Sequence, residues 1–126
     1  MFARSSFDFD SQRLETAEVF ADISTRETIP AEIQLELQFV AGLEADYDSL
    51  SAAASYAGYA VKASPKTGLI ELSVAVASPS AVNISAHESR TTELALAYGF
   101  LPHGWGFRSP AGGIRGWFHR TFGLGH

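Results

Sequence analysis

At 126 residues, 46% hydrophobic and 18% charged, the chain has the size of one domain and enough apolar content to bury a core, which excludes a disordered chain. The absence of cysteine excludes disulfides, thiolate metal sites, iron–sulfur clusters and cysteine nucleophiles. The net charge of −5 is uneven: residues 1–107 hold all fourteen acids against six bases, whereas residues 108–126 hold Arg108, Arg115 and Arg120 and no acid.

An acidic body repels phosphate backbones, which argues against direct nucleic-acid binding. No apolar run approaches the roughly 18–20 residues of a membrane span, and the polar start lacks a signal core, so the expected setting is the cytoplasm.

The first element is a helix over 10–23, capped by Asp10 or Ser11, with Leu14, Ala17, Phe20 and Ile23 as its apolar content. Thr28-Ile29-Pro30 ends it. Residues 32–41 then alternate: Ile33, Leu35, Leu37 and Phe39 against Gln34, Glu36 and Gln38. Period two predicts a half-buried strand. A helix over 46–57 follows, capped by Asp46 or Asp48, with Tyr47, Leu50, Ala54 and Ala57 on one side and Gly58 at its left-handed end.

Strands at 59–63 and 69–77 flank Ser64-Pro65-Lys66-Thr67-Gly68, which has turn chemistry, so they form a hairpin. Ile70, Leu72, Val74 and Val76 share one face of its second strand. Pro79 ends that strand. A helix over 84–98 opens on Ser85-Ala86-His87-Glu88, which matches a capping box, and buries Ile84, Thr91, Leu94, Ala95 and Tyr98. After Gly99 a last strand covers 101–108. Residues 114–124 are a basic-aromatic tail that places Ile114, Trp117, Phe118 and Phe122 on one side if helical.

From residue 32 the order is strand, helix, strand, strand, helix, strand. This is the split βαβ, ferredoxin-like arrangement of an α+β sandwich: a four-stranded antiparallel sheet with two helices on one face and the first and third strands in the middle. The division is an N-terminal helical arm over 1–31, the ferredoxin-like domain over 32–109 and a C-terminal tail over 110–126. The tail is expected to fold over the open sheet face or over a twin subunit, because three aromatics at roughly 1.5–3 kcal/mol each favour burial.

Little in the sequence advertises catalysis. None of His87, His103, His119 and His126 pair at the i, i+4 spacing of a helical zinc site. His87 is expected to be a partly buried, hydrogen-bonded side chain. Asp8, Asp10, Asp46 and Asp48 sit at helix starts and read as caps. There is no Gly-x-Ser-x-Gly elbow and no phosphate-binding glycine loop. The expectation is no catalytic residue, no metal and no cofactor. The informative triplet is Gly104-Trp105-Gly106, in which Trp105 packs into the core or contributes to a binding surface.

Residues 33–107 resemble the regulator of ribonuclease E activity B (RraB) family in element order, spacing and one motif. The family has an alanine-rich turn, a glycine pair and Tyr-Asp-Gly-Trp-Gly on its last strand. Here Gly99, Gly104, Trp105 and Gly106 match, and Phe100, Pro102 and His103 depart from the pattern. The resemblance covers about 60% of the chain.

It implies a ferredoxin-like, non-enzymatic inhibitor that binds the scaffold region of ribonuclease E, or a related RNA-processing enzyme, and alters which transcripts are degraded. The candidate partner-binding residues are His103, Gly104, Trp105, Gly106, Arg115, Trp117, Phe118 and Arg120, in a monomer or homodimer without membrane contact. The alternative is a ferredoxin-like small-molecule sensor or dimeric scaffold, whose pocket would be lined by Tyr59, His103 and Trp105.

Overall fold

The computed structural model describes residues 7–109, together with the backbone of 114–119. Its elements run α1 (Phe9–Arg26), β1 (Glu32–Ala41), α2 (Tyr47–Tyr56), β2 (Ala60–Ser64), β3 (Leu69–Ala77), α3 (Ala81–Ala97), β4 (Phe100–Arg108) and β5 (Ile114–His119). The strands form one antiparallel sheet in the order β2-β3-β1-β4-β5. Its first four strands are the ferredoxin-like unit, with β1 and β3 central as the right-handed crossover rule requires.

The alternation in β1 sets the core. Ile33, Leu35, Leu37 and Phe39 are all buried, and the register places Leu37 between Leu72 of β3 and Trp105 of β4. Val61 of β2 continues that row beyond Leu72. Leu50 and Ala54 of α2 and Ile84 and Ala95 of α3 close over this face. Each large side chain removed from water contributes about 1.5–3 kcal/mol, so the interior of this one sheet face is the dominant stabilising term.

Local signals fix the ends of the elements. Asp46 caps α2 by accepting from the Ser49 backbone N–H at 3.0 Å, and Gly58 adopts φ +102° just beyond the helix. In the β2–β3 turn Thr67 N–H donates to Ser64 O at 3.0 Å, and Gly68 takes φ +77°.

Several expectations need correction. The described part of the tail does not fold over the sheet face: residues 114–119 form β5, which pairs with β4 and makes the sheet five-stranded. The open backbone edge of β4 supplies the reason, since an unpaired strand edge recruits a neighbour. Residues 120–124 of the predicted tail lie outside the described residues.

The N-terminal helix expected over 10–23 is present as α1 and, beyond that expectation, joins the sandwich. α1 packs on α3 and sends Val19 and Ile23 into the common core. It is capped by Asp8, which accepts from Ser11 N–H at 2.9 Å. Its buried stripe is Gln12, Thr16, Val19 and Ile23, while Leu14 is exposed.

α3 begins at Ala81 with Ser80 as its cap, three residues before the predicted start. Ser85 and Glu88 are therefore interior helix residues, and both are buried. Glu36, assigned to the polar face of β1, is only 3% exposed. Its sheet neighbours are Ser73 and Gly106, so little side-chain bulk competes with Arg108 for the space around it.

Candidate functional site

Seven of the eight predicted partner-binding residues lie on two adjacent strands, β4 and β5. Trp105 is fully buried, in the row it shares with Leu37 and Leu72, so it is a core residue and not a surface contact. His103 is the extra residue of a β-bulge: Gln38 pairs with Gly104 and Phe39 with Pro102, leaving His103 between them. Gly104 and Gly106 are held between β1 and β5, opposite His119 and Trp117 of β5. Arg115, Trp117 and Phe118 belong to β5, with Phe118 opposite Trp105 in register. Arg120 lies outside the described residues.

The alternative pocket of Tyr59, His103 and Trp105 is not formed. Tyr59 enters β2, and β3 and β1 stand between β2 and β4, a separation of roughly 14 Å at about 4.8 Å per strand. Tyr59 instead meets His87: its hydroxyl is 2.8 Å from Nδ1, with the rings edge to face. Burial pushes the Tyr59 phenol up. Burial, then the Arg90 charge, pushes His87 below its ordinary value. A neutral imidazole and a neutral phenol in contact form a structural pair, as predicted for His87.

One concavity among the described residues was not anticipated. It is an apolar groove of about 310 Å³ between α1 and α3. Its walls are Arg13 and Ala17 from α1 and Ala81, Val82, Ser85, Ala86 and Ser89 from α3. The small side chains keep both helix surfaces low, so the helices meet without filling the space between them. Val82 stands on the rim, 77% exposed, and Leu14, beside Arg13 in sequence, is 65% exposed.

The contact beneath the groove is polar. Gln12 Nε2 donates to Thr92 Oγ1 at 3.0 Å, and the Thr16 hydroxyl donates to the Glu88 carboxylate. Buried polar pairs of this kind specify how two helices sit against each other more than they stabilise the contact. Arg13 is tied to Asp10 at the surface. The signal that could have located the groove was the run of small residues at 81, 85, 86 and 89.

Among the described residues no three histidine, aspartate or glutamate side chains gather as a metal-binding group. Likewise no described helix is long and apolar enough to cross a membrane. Neither a protein-family model nor a curated protein sequence matches this chain.

Proposed function

We propose that this domain is a non-enzymatic regulator that acts by binding another protein, and that its partner is the RNA-processing endoribonuclease implied by the resemblance to the RraB family. The observation that carries the reading is the groove between α1 and α3. It is apolar, open at the surface, rimmed by the exposed Val82 and set on two helices whose mutual position is held by buried polar contacts. A rigid apolar groove suits the apolar face of a partner helix or a single anchoring side chain. The ferredoxin-like order of β1–β4, with the Gly-Trp-Gly triplet on its last strand, supports the same reading.

The test uses the full chain and a purified ribonuclease E-type enzyme that includes its non-catalytic scaffold region. Calorimetry should give saturable binding, and Ala86→Arg, which fills the groove from an exposed helix position, should weaken it at least tenfold. RNA cleavage should slow when the chain is added and recover with the variant. Absence of binding, or binding indifferent to Ala86→Arg, would overturn the reading.

A further inference from the structure

Besides the outer edges of β2 and β5, one stretch of the inner strand β3 has no described strand on its outer side. β3 runs to Ala77, but β2 begins only at Ala60, which pairs with Ser73. The four residues Val74–Ala77 therefore overhang their neighbour.

The hydrogen-bond parity of β3 shows which backbone groups this leaves open. Ala41 N–H donates to Gly68 O at 2.8 Å, and Ser78 N–H donates to Ala31 O at 2.7 Å, one at each end of the β1–β3 ladder. Bonded pairs alternate in an antiparallel ladder, and the register between these ends has no break. Ile70, Leu72, Val74 and Val76 thus bond to β1, and Leu69, Glu71, Ser73, Ala75 and Ala77 turn their N–H and C=O outward. β2 meets the first three through Ser64, Lys62 and Ala60. Ala75 and Ala77 face past its end, beside a notch of about 240 Å³ lined by Gly58, Ala60, Ser73 and Ala75 among others.

We propose that this overhang is a self-pairing edge, at which Val74–Ala77 of one chain adds antiparallel to the same segment of a second copy. An outward N–H and C=O recognise an extended backbone before any side chain, so a strand is the chemical class the notch takes. The second copy is favoured by self-complementarity. A two-fold axis through Val76 sets Ala75 opposite Ala77 of the second copy, and Ala77 opposite its Ala75. All four outward groups on each side are then satisfied in two bonded pairs.

The side chains permit the approach. Ala75 and Ala77 are exposed and small, and Val76 points to the helix layer, where it is already buried. The stretch also lacks the charge that usually guards an edge, such as Lys62 on β2. Four residues bury far less than the roughly 1,200 Å² of a stable interface, so the dimer is weak and concentration-dependent.

Sedimentation equilibrium of the full chain from about 10 μM to about 1 mM should show the mass rising from one chain toward two. Over the same range, hydrogen exchange at the Ala75 and Ala77 amides should slow. Ala75→Pro removes an N–H that β1 does not use and should abolish the association with an unchanged circular dichroism spectrum. Ala75→Lys, which keeps the backbone and adds a guarding charge, should do the same and serves if the proline variant misfolds. A chain that stays monomeric at about 1 mM, or that associates equally well with lysine at position 75, would overturn the proposal. So would slowed exchange confined to residues outside 74–77.

Discussion

The Tyr59 hydroxyl lies 2.8 Å from Nδ1 of His87, joining the entry of β2 to the middle of α3. With the phenol as donor, Nδ1 accepts and the ring is neutral. Burial and the Arg90 charge both oppose protonation, so the folded-state pKa of His87 is lower than its ordinary 6.5. The unfolded chain then binds the proton more readily. Stability should be full above pH 6.5, fall as the pH drops from there through the lowered folded value, and level off below it. Urea unfolding at several pH values checks this, and His87→Gln should flatten that part of the profile. Tyr59→Phe should cost about 0.5–1.5 kcal/mol near neutral pH through the lost hydrogen bond.

Gly99 and Gly58 both end helices at positive φ, +88° and +102°, yet they should respond differently to alanine. A Cβ on Gly58 meets nothing within 4 Å, so Gly58→Ala should cost only the left-handed conformation, about 1 kcal/mol. A Cβ on Gly99 would lie 2.6 Å from the Glu44 carbonyl oxygen. The backbones there are also clamped, by Gly42 N–H to Gly99 O at 2.8 Å and Asp46 N–H to Tyr98 O at 2.9 Å. Gly99→Ala should therefore cost about 3 kcal/mol or more, since neither loop can yield independently. Denaturant midpoints of the two variants, measured side by side, decide it.

The fold was legible where the pattern was local and the candidate site was not. Period two in β1, the turn residues at 64–68 and the glycines at 58 and 99 each named their structure, and together they gave the ferredoxin-like order. The errors came where two local codes competed or where the partner was distant. Ser85 and Glu88 satisfy a capping box, but Ser80, directly after Pro79, caps the helix first. Ile114–His119 reads equally as an amphipathic helix, and only the waiting edge of β4 makes it a strand. The buried stripe of α1 opens with Gln12 and Thr16 because it meets Thr92 and Glu88, which apolar periodicity cannot report. The α1–α3 groove depends on that same pairing, so the small residues at 81, 85, 86 and 89 become a groove only once α1 is placed against α3.

On the face of the sheet away from the helices, Arg108 Nε lies 2.8 Å from Oε2 of Glu36, and Nη2 donates to Oε1 at 3.3 Å. Removing one partner strands the other. Arg108→Ala should cost about 1–3 kcal/mol, toward the low end for a buried pair because Arg108 is itself part-exposed. Adding Glu36→Gln should recover part of that loss, and a double-mutant cycle measures the coupling. Glu71 provides a second readout. Its pKa is raised first by burial and then by the Glu36 charge. Glu36→Gln should move the Glu71 titration down toward 4.5 without reaching it, because the burial remains; carboxyl NMR shifts follow it directly.

Trp105 separates structural from partner-binding roles in the Gly-Trp-Gly triplet. It is fully buried, between Gly104 and Gly106 in sequence and beside Leu37 in the sheet. Truncation leaves a cavity the sheet cannot close, so Trp105→Ala should cost about 3–5 kcal/mol. Trp105→Phe keeps most of the volume and should cost less than half as much. If the proposed partner is a ribonuclease and the tryptophan does not contact it, Trp105→Phe should bind that enzyme as well as the wild type once both are fully folded, whereas Ala86→Arg should fold normally and bind poorly. Binding lost in Trp105→Phe at unchanged stability would return the tryptophan to the interface. The groove would then need an independent demonstration, because the two sites lie on different elements and one substitution does not stand in for the other.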